Sequence, residues 1–231
     1  VIEDFQLLFY IIQPPTPERV KYDIFDRVNR GGTPLNKQEM RNALYRGRCT
    51  RMLDKLCCSP EFLIATGRSI NKERMKDQYV VLRAIAFLML HRGEFKDIPA
   101  LQYRGDIDDF LARFMVYVND NAPEKLIVDY ENLFIRCMQI SYDLLGENGF
   151  RFSGNGIRRP INMPLFEALS YLFSFVPEKI DYTWASRLIL DIESVKEEFD
   201  DSRYFSGNID STTSVSFRFD RMDKIINRIQ L

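Results

Sequence analysis

Residues 22–47 read YDIFDRVNRGGTPLNKQEMRNALYRG, and the rest of the chain is built around this stretch. Val20, Ile24 and Val28, with Phe25 beside them, recur at helical spacing and predict an amphipathic helix that Gly31-Gly32 stops. Thr33-Pro34-Leu35 is a short connection. Asn36-x-x-Glu39 has capping-box spacing, so a second helix is expected to open there, with Met40, Ala43 and Leu44 pointing inward and Gly47 at its end.

Upstream, residues 5–12 (FQLLFYII) form a short aromatic and β-branched run closed by Gln13-Pro14-Pro15, the pattern of a buried strand. Thr16-Pro17-Glu18 then supplies a cap, a Pro for the first helical position and an early carboxylate. A lone strand needs a sheet to pair with, and Val1 is not an initiator Met, so a piece of a longer chain is expected. Downstream the pattern is helical: short helices over 50–58 and 60–65, then a long one capped by 71–74 and running to His91 and Gly93. Its centre, 80–90, is apolar nearly all round and is the expected hub of the core. Further helices are expected over 106–119, 123–145, 163–175, 182–199 and 214–229. The run Ser211-Thr212-Thr213-Ser214 reads as a cap and turn. The longest stretch without periodicity is 147–162.

The whole is 231 residues with 32 Lys+Arg against 33 Asp+Glu, a net charge of -1. No global field for nucleic acid exists, so any such contact must come from a local patch. Between 19 and 55 there are ten Lys/Arg and four Asp/Glu, which makes this region the basic one. The longest apolar runs fall far below the roughly 18–20 residues of a membrane span, so no membrane partner is expected. Cys49, Cys57, Cys58 and Cys137 form no C-x-x-C pair and fit reduced thiols in a cytoplasmic protein. His91 is the only histidine, which excludes a His-Asn-His nuclease core and a His-based zinc site from this chain. At the end of an apolar helix it reads as a partner of the helix dipole. Arg74, Asp77 and Arg83 read as an ion-pair set steadying the hub helix. Glu94-Phe95-Lys96 has an E-x-K spacing with no suitable strand before it.

The stretch IFDRVNRGGTPLN (24–36), followed by QEMRNALYRG (38–47), resembles the signature of the GmrSD-type family, iFeriN-x-gGtpLn and then qElRnalyhG. Weaker agreement continues through Arg74-Met75-Lys76-Asp77, Leu82-Arg83 and Phe110-Leu111. The resemblance implies a ParB/sulfiredoxin-like domain of modification-dependent restriction enzymes and other anti-phage proteins. On that footing the fold is mainly α, with one N-terminal β-strand from an incomplete ParB-like α+β domain followed by a helical bundle. Residues 1–60 would be the C-terminal part of that domain and 61–231 its helical extension. The family's Asp-Gly-Gln-Gln-Arg motif has no counterpart here, so no catalytic residue carries over and the isolated chain is expected to be inactive. The missing N-terminal half is the implied partner. Nucleoside triphosphate and Mg²⁺ are implied for the complete protein, with no cofactor in this chain.

Two readings stand for Asn29, Gly31, Gly32 and Thr33. Glycine-freed backbone N–H groups before a helix N-terminus make an anion-binding concavity, and the same residues serve equally as a helix cap and turn. The resemblance favours a loop lining a nucleotide cleft, with Arg41 beside it. Arg27, Arg30, Arg46 and Arg48 are candidate DNA contacts in the basic region. Arg151, Arg158 and Arg159 are candidates in the 147–162 loop, where Phe150 and Phe152 either stack on bases or tuck onto the core. The competing function is a non-catalytic helical module that docks a protein or DNA.

Overall fold

The computed structural model describes residues 33–153, 157–179 and 181–229, together with Ile11, Gln13, Thr16, Val20, Asp23, Ile24, Phe25 and Arg27. The strand expected over 5–12 lies outside these residues apart from Ile11, and Asn29, Arg30, Gly31 and Gly32 lie outside them altogether. Val20, residues 23–25 and Arg27 are helical.

The described chain is mainly helical, with no strand among its residues. The helices are α1 (Lys37–Leu44), α2 (Arg48–Cys57), α3 (Pro60–Ala65), α4 (Lys76–His91), α5 (Ile107–Asp120), α6 (Glu124–Leu145), α7 (Met163–Phe173), α8 (Tyr182–Asp200) and α9 (Thr212–Ile229). Side chains start most of them. Asn36 and Glu39 close a full capping box on α1. Ser59 caps α3, Asp106 caps α5, Asn162 caps α7 and Asp181 caps α8, each taking a backbone N–H that the helix leaves unpaired. The Ser211 hydroxyl accepts the Ser214 N–H at the head of α9, the cap expected of that run.

Helix α4 is the hub. Every residue from 80 to 89 is buried, and α4 packs against α7, α2 and α5, with α9 laid across α7. One apolar cluster runs from Tyr45 to Ile226 and crosses the boundary expected at 60/61. Aromatic rings fill its centre: Phe87 meets Tyr103, Phe110 and Phe219 at centroid distances of 5.2, 5.4 and 5.7 Å. Truncating such a ring to alanine costs about 3–5 kcal/mol. Phe150 and Phe152 are buried against Phe166 and Phe205, so the 147–162 loop tucks its rings onto the core. Cys49, Cys57 and Cys137 are buried and Cys58 is exposed, all four as free thiols. No helix among the described residues is long and apolar enough to cross a membrane.

Gly47 marks a close approach. A Cβ there would lie 2.5 Å from the Asn119 Oδ1, which accepts the Cys49 N–H while its Nδ2 donates to the Tyr45 carbonyl. The turn between α1 and α2 is thereby pinned to the end of α5.

Three expectations are corrected. Ala43 is exposed: α1 turns Met40, Arg41 and Leu44 inward because Arg41 reaches Asp108 on α5, which rotates Ala43 out. Arg74, Asp77 and Arg83 are not one ion-pair set. Arg74 pairs with Glu39, whereas Arg83 pairs with Glu167 and Asp210. His91 is no dipole partner, since its ring is stacked on Phe219 with centroids 3.6 Å apart and its Nε2 is buried.

Candidate functional site

The helix α1 begins where the chain crosses the entrance of α4, and the crossing is built by polar contacts. Before α4, residues Glu73–Met75 make a 3₁₀ turn in which Arg74 (φ 56°, ψ 31°) and Met75 (φ 58°, ψ 32°) are both left-handed. For residues with a Cβ this conformation costs about 1–2 kcal/mol each, so the surroundings must hold it. They do. The Asn36 Nδ2 donates to the Arg74 carbonyl at 2.7 Å, and the Arg74 Nη2 donates to the Pro34 carbonyl at 2.6 Å and to Glu39 Oε2 at 3.0 Å. The same Glu39 oxygen accepts the Asn36 N–H at 2.6 Å, so one carboxylate both caps α1 and holds Arg74. Arg74 first, and then the Asn36 N–H, keeps the Glu39 carboxyl below its ordinary pKa.

One turn on, Arg41 is 1% exposed. Its Nε donates to Gln38 at 3.1 Å and its Nη1 to Asp108 Oδ1 at 2.8 Å, and its guanidinium carbon stands 5.3 Å from the Tyr79 ring centroid. The Arg41 Nη2 is buried and has no hydrogen-bond partner among the described residues. Lys37 takes the other oxygen of Asp108. Burial raises the Asp108 pKa, but Lys37 and Arg41 outweigh it and the net position is below the ordinary value.

These residues border a depression of about 520 Å³, lined by Asn36, Lys37, Gln38, Arg41, Asn71, Glu73, Arg74, Lys76, Tyr79 and Asp108. Four cations there face two carboxylates, Glu73 and Asp108, and the N-terminus of α1 adds a favourable dipole. The set suits a polyanion. A neighbouring hollow of about 740 Å³ shares Lys37 and Asp108 and sets Tyr45, Leu101, Val116 and Tyr117 against Asp106, Asp109 and Arg113. The Mg²⁺ implied by the resemblance finds no donor set here. Asp108 gives both oxygens to cations, and no group of three or more His, Cys, Asp or Glu among the described residues is placed to hold a metal ion.

Of the residues singled out from sequence, Arg41 lies in the polar depression and Thr33 stands exposed at a bend before α1. Arg27 and Arg46 are exposed. Arg48 ties α2 to the end of α5 through the carbonyls of Asn119 and Ala122, with Glu124 as a further partner. Arg151 is buried and staples its loop, donating to the carbonyls of Glu147, Thr66 and Arg159 and to the Ser69 hydroxyl. Arg158 pairs with Glu147, and Arg159 with Asp200 while lying over the Phe152 ring. Both flank a hollow of about 650 Å³ that Lys196 and Glu193 share. Lys37, Tyr79 and Asp108 carried no signal of a site in the sequence, because helices distant in the chain bring them together. Arg74 and Lys76 had one, their place in the weaker part of the family resemblance.

No protein-family model, curated protein or solved structure matches this chain.

Proposed function

We propose that the chain is the C-terminal part of a ParB-like module of the GmrSD type, acting in modification-dependent restriction or another anti-phage defence. In this reading the strand over 5–12 belongs to the sheet of an α+β domain whose other half precedes it. The stretch 22–47 would then form one wall of a nucleotide-handling cleft, with the chemistry on the opposite wall. The observation that carries the reading is Arg41: a buried guanidinium from the signature helix, set among Lys37, Arg74 and Lys76 at a depression large enough for a polyphosphate. Phosphate oxygens are bound by such cations in charge-assisted hydrogen bonds. Among the described candidates, Arg27, Arg46, Arg158 and Arg159 have exposure suited to DNA, whereas Arg48 and Arg151 serve the fold; Arg30 stays a candidate outside the described residues.

The test is nucleoside triphosphate hydrolysis by this chain joined to its N-terminal half. Asn29→Ala with Arg41→Ala is expected to lower the rate by about a hundredfold or more, as loss of a charged phosphate contact does. An unchanged rate counts against the cleft.

A second reading, a non-catalytic module that docks a protein, is favoured by Tyr182 and Leu190 on α8, which are 88% and 71% exposed. It predicts no hydrolysis from the joined halves and binding that survives both substitutions.

A further inference from the structure

We infer that the depression at the head of α1 is a phosphate site clamped by the chain's own carboxylates, with Glu39 and Asp108 standing where ligand oxygens go. The inference rests on reading this wall as phosphate-handling, and adds which residues hold the anion, what keeps them occupied and which anions gain entry.

Arg74 is presented by two consecutive left-handed residues and anchored at both ends, its carbonyl to Asn36 and its Nη2 to Pro34. A surface arginine with only an ion pair to make needs no such scaffold. The scaffold places its guanidinium at the rim, where the residue is 53% exposed, beside a Glu39 that is 18% exposed. Lys37, also on the lining, is 65% exposed and pairs with Asp108, whose other oxygen holds the buried Arg41. Glu39 thus holds Arg74, and Asp108 is shared by Lys37 and Arg41, two carboxylates for three cations, with Glu73 also on the lining. The Arg41 Nη2 nonetheless has no hydrogen-bond partner among the described residues.

Exchange is geometrically simple. Glu39 Oε2 also accepts the Asn36 N–H, so a ligand that takes Arg74 leaves the capping box of α1 intact. A monoanion replacing Glu39 gains nothing, since one negative charge substitutes for another. A phosphate dianion or a polyphosphate that spans Arg74, Lys37 and Lys76 brings more than one charge and reaches Lys76, which neither carboxylate contacts. The clamp thus selects for charge. The chemistry is a phosphate group, from a free phosphorylated ligand or from a nucleic acid backbone.

The test is calorimetric titration of the full chain with pyrophosphate, with a 5′-phosphorylated single-stranded oligonucleotide, and with acetate as the monoanion. The forms are wild type, Glu39→Gln and Arg74→Gln. Glutamine keeps the capping box while removing the competing charge. Expected are pyrophosphate affinity about tenfold tighter for Glu39→Gln, about tenfold weaker for Arg74→Gln, and no acetate binding, the size of one charged hydrogen bond. A preference for pyrophosphate assigns the site to free ligands and a preference for the oligonucleotide assigns it to a backbone. Either supports the clamp if Glu39→Gln tightens it. Phosphate binding indifferent to Glu39→Gln, in protein with an unchanged melting temperature, overturns the clamp and leaves a phosphate site. No binding of either phosphate ligand by any form overturns the clamp and the phosphate-handling wall alike.

Discussion

At the scale of the residue, the most informative side chains are those whose surroundings contradict their usual chemistry. His91 is one. Burial, and then the charge of Arg218, push its pKa down to about 3, and its ring lies on Phe219 with Nε2 buried and unpartnered among the described residues. It is a neutral aromatic in the folded chain. The unfolded state takes up its proton near pH 6.5, so between that pH and about 3 the unfolded chain binds more protons than the folded one. The contribution of His91 is thus full above pH 6.5 and falls as the pH drops, by up to roughly 1.4 kcal/mol per pH unit. Replacing it by Phe keeps a ring against Phe219 and removes the titration. Urea unfolding at pH 7, 6 and 5 should show wild type losing stability relative to His91→Phe, by roughly 1–2 kcal/mol at pH 5. Parallel pH dependence in the two proteins would refute a buried neutral histidine.

At the scale of the element, the helices with a side-chain cap were legible, and the entrance to α4 was not. Asn36-x-x-Glu39, Ser59-Pro60 and the serine–threonine run at 211–214 all use donors and acceptors within four residues, which a local pattern can carry. Residues 71–74 resemble such a cap, yet Asn71 takes the Glu73 N–H inside a separate turn and α4 starts only at Lys76. Arg74 decides this, by binding Pro34 at a distance of forty residues along the chain. A long-range contact that overrides local geometry leaves no mark in periodicity. The same holds for the depression itself. Arg41 could be picked out because the family resemblance runs through it, whereas its partner Asp108 is one of several aspartates at the head of a helix. Not every left-handed residue has such support. After α3, Gly67 and Arg68 are both left-handed, with the Arg68 N–H closing back on the Leu63 carbonyl at 2.8 Å. Arg68 is exposed, and this turn needs its backbone rather than its side chain. Arg68→Gly should therefore stabilise by about 0.5–1 kcal/mol, the relief of a left-handed Cβ less the entropy of glycine. A fall in melting temperature would mean that the arginine makes a contact worth more than the strain.

At the scale of the molecule, a buried charge cluster joins parts of the chain that are far apart. Glu167 on α7 is fully buried between Arg83 on α4, at 2.5 Å, and Arg218 on α9, at 2.7 Å. Asp210, in the turn before α9, takes the other side of Arg83 at 2.6 Å, and Tyr103 donates to its carbonyl. Burial works against the charge of Arg83, but Glu167 and Asp210 outweigh it and hold its pKa above the ordinary arginine value. The sequence offered an apolar hub and a helical count, but not this cluster, because its members lie 84 and 51 residues apart. Its effect is on uniqueness of packing. Apolar faces of α4, α7 and α9 alone would tolerate sliding by a turn, whereas a carboxylate with two guanidinium partners accepts one register. The energetics separate the two roles. Glu167→Leu leaves two buried guanidinium groups short of a counter-charge and should cost about 3–5 kcal/mol in urea unfolding. Arg83→Met, Glu167→Leu and Arg218→Met together remove the charges as a set and leave Asp210, 27% exposed, to water. The triple variant should recover most of that loss, because well-packed apolar groups replace buried ion pairs at little net cost. It should also show a broader unfolding transition and faster amide exchange in α9, where register is no longer specified. A triple variant as unstable as Glu167→Leu alone would mean that the cluster stabilises the fold outright. One with wild-type exchange in α9 would mean that apolar packing sets the register unaided.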